Sequence, residues 1–443
     1  MRTSDLLIAK DLNHVWHPCT IMKNLVQDPP LIITRAKGSY LETDQGQLID
    51  GISSWWCKSL GHGHPAVIAA IQQQLQHFEH VISANTTHPN IVALAEELTA
   101  ISGKQHVFFA SDGSSAVEIA LKLAIQATAL KGQRQRNQFV ALRHAYHGET
   151  LGALSVTDMG MYKDAWASFG VNCHFLDPIP YVNNCQDPLW NNAHACWSQF
   201  LPQLDALKHQ VCAIILEPVI QGANGLRPYS ADFLKKLVDF AKQHDIYVIA
   251  DEIMTGLGRT GEWLASHHAN IDPDMICLSK GLTSGTVPLS CVLIDHDIFE
   301  LFYHEEDPKR CFLHSHTYSG NPLGIAAALA TVQTMRTEDI NQQARDLGAY
   351  MHQRFNEVIT ATGYFTPSRT LGAIVAADFS GIHPNFSRAL AKAAQEYGAL
   401  LRPIDKTLYW FPPLNTSHTT IDQLADITYK AIQKVLARDV CTV

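Results

Sequence analysis

The chain has 443 residues, of which 46% are hydrophobic and 17% charged, a composition typical of a globular protein and not of a disordered or fibrous one. Its net charge of −9 argues against a nucleic-acid-binding surface, which needs a basic face. No apolar run approaches the roughly 20 residues that span a membrane, and no signal peptide is visible. Its ten cysteines follow no regular spacing, so we expect reduced thiols and a cytoplasmic location.

The first 65 residues are predicted to form an arm followed by short strands. The segment WHPCT, which contains Cys19, is aromatic and interrupted by proline. Apolar runs separated by Gly and Asp then indicate hairpins up to about residue 50. A loop follows that carries the tandem tryptophans Trp55 and Trp56 and a Gly-His-Gly-His run. Helical spacing of apolar residues predicts two helices after it, at 66–80 and 89–101.

From about residue 105 the pattern alternates between strands and helices, which predicts a mostly parallel sheet covered by helices. The strand candidates are HVFFAS, FVALR, VCAIILEPV, IYVIADEI and MICLSK. An amphipathic helix from Ser230 to His244, with Ser230 as its N-cap, lies between two of them. Residues 160–205 are less regular, and we interpret them as an excursion over the surface.

The last part of the chain is predicted to form a small α+β domain. A long helix begins near Asn321 and leads towards it. Further helices are expected at 345–360, 386–398 and 420–437, with short strands in LGAIVAADF and TLYWFPP. No internal repeat is visible.

A turn between a strand and a helix is a candidate anion site. The turn consists of Asp112, Gly113, Ser114 and Ser115. Free backbone N–H groups and the helix dipole at such a helix start favour the binding of a phosphate. An ordinary capped helix start explains the same residues, so the motif by itself is open. Tyr146, just past the next strand, can stack on a flat ring or belong to the core.

Two charged residues end neighbouring strand candidates. Asp251 ends IYVIAD, and Lys280 ends MICLSK. Ligands of open α/β sheets bind beyond the carboxyl ends of the strands. A carboxylate can keep a pyridine nitrogen protonated, and a lysine can bond to an aldehyde. Together these residues predict a pyridoxal 5′-phosphate (PLP) site.

Two arginines are candidates for binding a substrate carboxylate. Arg259 lies between glycines in GLGRTG, and Arg402 follows a strand-like run in LRPIDK. A guanidinium fork suits a carboxylate, although a surface salt bridge explains either residue alone. The histidine pairs, such as His314 and His316, lack the partners of a metal site, so we expect no metal.

Several separate motifs resemble the class III PLP-dependent aminotransferases, in order and over nearly the whole chain: SDGSSAVE, AYHG, EPVIQGANG, ADEIMTGLGRTG, LSKGL and HTYSGNP. The resemblance implies fold type I, with a large domain built on a seven-stranded, mostly parallel sheet and a small α+β domain built from both termini. We place residues 1–65 in the arm and part of the small domain, 66–330 in the large domain and 331–443 in the C-terminal small domain. It also implies a homodimer with active sites at the interface.

The resemblance assigns a role to individual residues. Lys280 would be the catalytic residue that bonds to the cofactor and moves a proton in ping-pong transamination. The cofactor would contact Gly113 and Ser114 at its phosphate, Tyr146 and Asp251 at its ring, and Thr317 from the partner subunit. The substrate would contact Trp55, Trp56, Tyr146, Ser315, Arg402, Tyr409 and Cys19, with Arg402 taking a carboxylate.

Within the class, WHPCT and DGISSWW resemble the branch that aminates 8-amino-7-oxononanoate in biotin synthesis, with S-adenosyl-L-methionine as the expected donor. Three features depart from the family pattern. Cys19 replaces an aromatic residue on the donor side, and Ser315-His316 replaces the usual Gly-Pro. Ser111-Asp112 replaces the more usual Asp-Ser of the phosphate turn, which leaves the backbone donors in place. The first two departures leave open lysine as the donor, or an ω-amino-acid or diamine transaminase.

Overall fold

The computed structural model describes residues 3–166, 168–304 and 307–439. A seven-stranded sheet lies at its centre, and its strands, in order across the sheet, are β4 (His106–Ala110), β12 (Ser290–Ile294), β11 (Met275–Leu278), β10 (Tyr247–Asp251), β7 (Val211–Leu216), β5 (Gln138–Leu142) and β6 (Cys173–Leu176). Strand β12 pairs antiparallel with both neighbours, and the other neighbouring pairs are parallel. This arrangement confirms the predicted α/β fold class.

The central strands are apolar along their whole length because both faces of the sheet are covered. Every residue of Val211–Leu216 and of Met275–Leu278 is buried. Such continuous Val, Ile and Leu runs are typical of parallel sheets between helical layers. The helices and helical turns of this part are α3 (Pro65–Leu75), α4 (Pro89–Ser102), α5 (Gly113–Leu130), α6 (Leu151–Ser155), α7 (Met161–Asp164), α8 (Pro188–Asn191), α9 (His194–Leu207), α10 (Ala231–Gln243), α11 (His296–Phe302) and α12 (Pro322–Thr337). A ribbon of β8 (Ile220–Gln221) and β9 (Arg227–Pro228) follows β7.

Both ends of the chain meet in a second group of elements. A four-stranded sheet joins β1 (Ile33–Lys37), β2 (Tyr40–Thr43) and β3 (Gly46–Asp50) to β15 (Ala399–Leu400). A three-stranded sheet contains β13 (Arg369–Thr370), β14 (Val375–Asp378) and β16 (Thr407–Trp410), and the helices beside it are α13 (Ile340–Thr362), α14 (Phe386–Tyr397) and α15 (His418–Asp439). The domain boundaries at 65 and 330 stay a prediction, and their outer ends, 1–2 and 440–443, lie outside the described residues.

Three parts of the structure differ from the prediction. Helix α1 (Thr3–His14) opens the arm, and a helical turn at Met22–Val26 follows it. The segment 160–205 supplies the edge strand β6 and helix α9 besides irregular chain, so it is only partly an excursion. Helix α3 ends at Leu75 rather than near residue 80. No described helix has the length and apolarity of a membrane span.

Candidate active site

The charged ends of β10 and β11 lie side by side, as predicted. The two strands are parallel, and Asp251 is opposite Cys277 in their register. Lys280 comes two residues after β11, at the start of a helical turn over Lys280–Thr283. Its backbone is left-handed, with a φ of 44°. Both side chains therefore face the crevice at the carboxyl edge of the sheet, where α/β folds bind ligands.

Asp251 is almost fully buried and is held by two donors. Its Oδ2 lies 2.8 Å from Nδ1 of His147, and its Oδ1 accepts a hydrogen bond of 3.1 Å from the backbone N–H of Ile253. His147 is itself buried, and its other ring nitrogen has no hydrogen-bond partner among the described residues. The sequence prediction gave His147 no role, although it directly follows Tyr146 in the AYHG motif.

The environment of Lys280 favours the neutral amine. Burial lowers the pKa of Lys280, and the carboxylates of Asp251 and Glu217 oppose that shift only in part. Its Nζ lies 5.4 Å from the ring centroid of Trp56. A larger fraction of such a lysine is unprotonated at a given pH than of an exposed one, so its amine is more available to act as a nucleophile or to accept a proton.

The turn before helix α5 is both a capped helix start and a possible anion site. Asp112 is the N-cap, and its carboxylate accepts hydrogen bonds from the backbone N–H of Ser115 at 3.0 Å and from its hydroxyl at 2.9 Å. The N–H groups of Gly113 and Ser114 have no acceptor within the helix, as at every helix start. A Cβ on the neighbouring Gly148 would overlap the Ser114 hydroxyl, so the turn needs a glycine there.

A buried glutamate connects Tyr146 to the crevice. The backbone N–H of Tyr146 donates to Oε1 of Glu217 at 3.1 Å, and that of Gly222 donates to Oε2 at 2.8 Å. Burial raises the pKa of Glu217 to about 7. The Tyr146 hydroxyl donates to Glu149 at 3.0 Å, and its pKa is raised, chiefly by burial. The sequence prediction placed Glu217 at a strand end but gave it no role. That strand-end position was the feature that could have identified it as a site residue.

The tandem tryptophans lie in different surroundings. Trp56 is buried, its indole N–H donates to the hydroxyl of Tyr409 at 3.2 Å, and Lys280 is beside it. Trp55 is 43% exposed, and the guanidinium of Arg402 stacks 4.2 Å from its ring centroid. Trp56 thus lies beside Lys280 in the interior, whereas Trp55 lies beside Arg402 at the surface.

Arg259 was a candidate for binding a substrate carboxylate, but its guanidinium is used within the protein. Its guanidinium is buried under the ring of Phe411, with its carbon 3.8 Å from the ring centroid. It donates to the carbonyl oxygens of Ala373 and Pro412 at 3.0 and 2.9 Å. These bonds join the loop after β10 to the C-terminal elements, so Arg259 is neither a surface salt bridge nor a free carboxylate site.

Three predicted residues lie farther out. Cys19 lines a cavity of about 1560 Å³ together with Trp55 and Arg402, between the arm and helix α14. Ser315 and Thr317 are exposed in the loop before α12. None of the contacts described for this single chain joins either of them to Lys280 or Asp251. No three described His, Cys, Asp or Glu side chains come together as a metal site.

The donor set of the crevice fits PLP. A buried carboxylate, Asp251, suits a protonated ring nitrogen, and a buried amine, Lys280, suits an aldehyde. The helix start at Gly113 and Ser114 offers N–H groups to a phosphate. Gly113 approaches Ile253 closely, since a Cβ at Gly113 would lie 3.1 Å from a side-chain carbon of Ile253.

Comparisons with known proteins show the family of the chain. The family model for class III aminotransferases matches residues 21–432. Two proteins named adenosylmethionine-8-amino-7-oxononanoate aminotransferase are similar over nearly their full length. The protein from Synechococcus elongatus is 37% identical, and the match covers 96% of this chain and 98% of that protein. The protein from Helicobacter pylori is 35% identical, and the match covers 95% of this chain and 96% of that protein.

Solved structures give the same picture. The enzyme of that name from Methanocaldococcus jannaschii superposes with a TM-score of 0.90 at 28% identity, covering 98% of this chain and 99% of its own. An amine transaminase from an uncultivated Pseudomonas species, solved in its PLP-bound form, has a TM-score of 0.88 at 30% identity, covering 95% and 99%. The chain belongs to the class III aminotransferases and is a PLP-dependent transaminase.

Proposed function

We propose that this enzyme transfers an amino group to 8-amino-7-oxononanoate, forming 7,8-diaminononanoate in biotin synthesis, with S-adenosyl-L-methionine as the amino donor. The observation that carries the proposal is the tandem indole pair, with Trp56 beside Lys280 and Trp55 beside Arg402. The names of the full-length relatives from several organisms support the same acceptor.

The spacing of these groups suits an extended keto acid. Its keto carbon would lie near Lys280, and its carboxylate would meet the exposed guanidinium of Arg402. The apolar methylene chain between them would lie along Trp55 and Trp56, whose faces exclude water. A fork of N–H donors recognises a carboxylate better than a single ammonium does.

The chain's own residues then have distinct roles. PLP, when bound, supplies the electron sink on which the reaction depends. Asp251, oriented by His147, would hold the ring nitrogen in its protonated form. Lys280, whose pKa is lowered by burial, would take a proton from the substrate carbon that bears nitrogen and return it during transfer. Gly113 and Ser114, with Thr317 of the partner subunit, would bind the phosphate.

The direct test supplies purified enzyme with 8-amino-7-oxononanoate and S-adenosyl-L-methionine and measures diaminononanoate. Arg402→Met should raise the KM for the acceptor by roughly 100-fold, because the carboxylate loses a charge-assisted bond. Its matched control is Arg388→Met, because Arg388 lines the same cavity but pairs with Asp28. Failure to form diaminononanoate with any amine donor would refute the proposal.

A second donor assignment is favoured by Cys19. A thiol stands where the aromatic residue of the resembling branch would be, and it faces the phenol of Tyr162. We therefore keep lysine as an alternative donor, and an ω-amine transaminase as an alternative enzyme. Separate half-reactions with adenosylmethionine, lysine and simple amines plus pyruvate distinguish these cases. Turnover of simple amines without activity on 8-amino-7-oxononanoate would select the ω-transaminase.

We also propose that the enzyme is a homodimer in the cytoplasm with its active sites at the interface. Large apolar side chains are exposed on the single chain, including Trp16, Met161 and Leu313 at 86%, 87% and 80%. A second copy would cover such surface. Sedimentation of the active enzyme as a monomer would refute the dimer, and recovery of the enzyme outside the cytoplasmic fraction would refute the location.

A further inference from the structure

The tandem tryptophans lie in a stretch of backbone that non-glycine residues rarely adopt. Four consecutive residues are left-handed: Ser53, Ser54, Trp55 and Trp56 have φ angles of 49°, 45°, 75° and 69°. They form the single turn α2 (Ser53–Trp56). L-residues visit this region singly, not in runs, because Cβ approaches the following carbonyl oxygen. A run of four therefore requires specific bonds from its surroundings.

One buried carboxylate provides those bonds. Asp50, at the end of β3, is completely inaccessible to solvent. Its Oδ1 accepts from the backbone N–H of Ser54 at 2.9 Å, and its Oδ2 accepts from the Ser54 hydroxyl at 2.7 Å. The aspartate thus holds the second residue of the left-handed run at both its backbone and its side chain.

A histidine from the Gly-His-Gly-His run completes the group. Nε2 of His62 lies 2.8 Å from Oδ2 of Asp50 and 3.3 Å from the Ser54 hydroxyl. His62 is 9% exposed, and its backbone exchanges two hydrogen bonds with Gly38, at 2.8 and 2.9 Å. Burial alone would raise the pKa of Asp50, but the hydrogen bonds from His62 and Ser54 outweigh it and leave the pKa lowered. The carboxylate is therefore well suited to stay ionised in the core.

The opposite side of the turn is tied to the C-terminal elements. The Ser53 hydroxyl donates to the carbonyl oxygen of Phe411 at 2.7 Å, and the backbone N–H of Phe411 donates to the carbonyl oxygen of Gly51 at 2.8 Å. Trp56 packs against Phe411 with ring centroids 5.8 Å apart. The turn is therefore held by Asp50 and His62 on one side and by Phe411 on the other. The position of both indoles depends on whether the turn keeps its left-handed form between them.

We infer that Asp50 and His62 are positioning residues that hold the Ser53–Trp56 turn in its left-handed form and thereby place Trp55 and Trp56 around the substrate. Neither residue touches the reacting atoms. Their effect is on substrate binding and specificity, while the cofactor contacts at Asp251, Lys280 and Gly113 lie on other elements. The inference rests on the proposed function only for the identity of the acceptor.

The test compares His62→Leu, which removes the donor to Asp50, with His62→Gln, whose amide can donate from a similar place. In His62→Leu the KM for the keto acid acceptor should rise roughly tenfold or more, since a small displacement of a pocket wall has a large effect. The kcat and the visible absorbance of bound PLP should change little. His62→Gln should restore the KM to within about threefold of wild type. A spectral titration of the holoenzyme with the acceptor gives its dissociation constant independently of turnover.

Ser39→Ala is the matched control, because it removes a buried hydrogen bond of 2.7 Å between the hydroxyls of Ser39, in the connection from β1 to β2, and Thr416, and neither hydroxyl bonds to the Ser53–Trp56 turn. It should lower the melting temperature but leave the acceptor KM unchanged. If His62→Leu does not fold, Ser54→Ala removes one bond of the group and should raise the KM in the same direction. An unchanged KM in the folded variants, or a rise in Ser39→Ala equal to that in His62→Leu, would overturn the inference.

A negative result for the proposed acceptor is distinguishable from failure of this inference. If the wild-type enzyme does not turn over 8-amino-7-oxononanoate, the same variants are compared with whichever amine converts the bound cofactor in the half-reaction. A rise in the concentration of that amine needed for half-maximal conversion still supports the positioning role, and equal values in wild type and His62→Leu refute it.

Discussion

At the scale of single residues, the crevice buries several ionisable groups. Burial and neighbouring groups shift the pKa values of some of them. Asp251 pairs with His147, and Glu217 accepts two backbone N–H groups but no side-chain cation among the described residues. Burial consequently raises the pKa of Glu217 to about 7, while it lowers the pKa of Lys280. Burial thus shifts the pKa of the acid and that of the amine in opposite directions, and in each case it favours the neutral form.

Glu217 should make the stability of the protein depend on pH. An unfolded chain releases this proton near 4.5, and the folded protein only near 7. Between these values the unfolded state binds fewer protons, so the free energy of unfolding falls as pH rises, by about 3 kcal/mol in total. Denaturant unfolding at pH 5 to 8 should show this slope, and Glu217→Gln should flatten it.

The control for that measurement is Glu42→Gln, because Glu42 is an exposed residue of β2. It should keep the wild-type slope. Equal slopes in wild type and Glu217→Gln, with both proteins in the same cofactor state, would show that Glu217 ionises alike in the folded and unfolded protein.

At the scale of elements, helices α5 and α10 both begin with a side-chain N-cap, but only the start of α5 lies at the crevice. Asp112 caps α5 at the crevice, whereas the Ser230 hydroxyl caps α10 by accepting from the N–H of Phe233 at 3.2 Å. Both caps satisfy one of the first N–H groups of a helix. Of these two starts, the one at α5 faces the proposed phosphate.

Substitution of the two caps should separate stability from cofactor binding. Asp112→Ala and Ser230→Ala should each lower the free energy of unfolding by about 1 kcal/mol, because each removes an N-cap acceptor. Asp112→Ala should also weaken PLP binding, since the N–H groups of Gly113 and Ser114 lose their fixed direction. Urea unfolding and a PLP titration of the cofactor-free protein measure the two effects. Equal PLP affinities in the two variants would contradict a phosphate site at α5.

At the scale of the whole molecule, the proposed dimer explains why Thr317 is exposed and apart from Lys280 in one chain. If Thr317 serves the partner's site, two inactive variants should complement each other. A hybrid of Lys280→Ala and Thr317→Asp protomers then has one site with an intact lysine and an intact threonine. It should regain about half of the wild-type activity per dimer, since one of its two sites is complete.

The reciprocal hybrid pairs a wild-type protomer with one that carries both substitutions. Neither of its sites is then complete, so it should be inactive. Differently tagged protomers, co-expressed and purified in sequence, give both hybrids for assay. If instead the first hybrid is inactive and the second is half active, Thr317 acts within its own chain.

The sheet, the cofactor class and the central charged pair were all predictable from the order of the amino acids. Asp251 and Lys280 could be assigned to one site because parallel strands bring their carboxyl ends to the same edge of a sheet. That β10 and β11 are adjacent follows from the strand order in the structure. Long apolar runs likewise predicted the buried strands, and local pattern predicted the Ser230 cap. The short strands β6 and β12 were not predicted. Strand β6 is an edge strand in an irregular segment, and β12 runs antiparallel to its neighbours, which departs from the strand–helix alternation of a parallel sheet.

The surroundings of that pair, in contrast, depend on contacts between distant parts of the chain. The bond between Trp56 and Tyr409 joins residues 353 positions apart, and Ser53 reaches Phe411 across 358. His147 binds Asp251 through a contact between the loop after β5 and the end of β10 that local sequence does not encode. The left-handed turn at Ser53–Trp56 is the clearest case, because its residues disfavour that backbone locally. Its bonds come from Asp50 at the end of β3 and from His62 at the bridge to Gly38, both of which lie outside the turn.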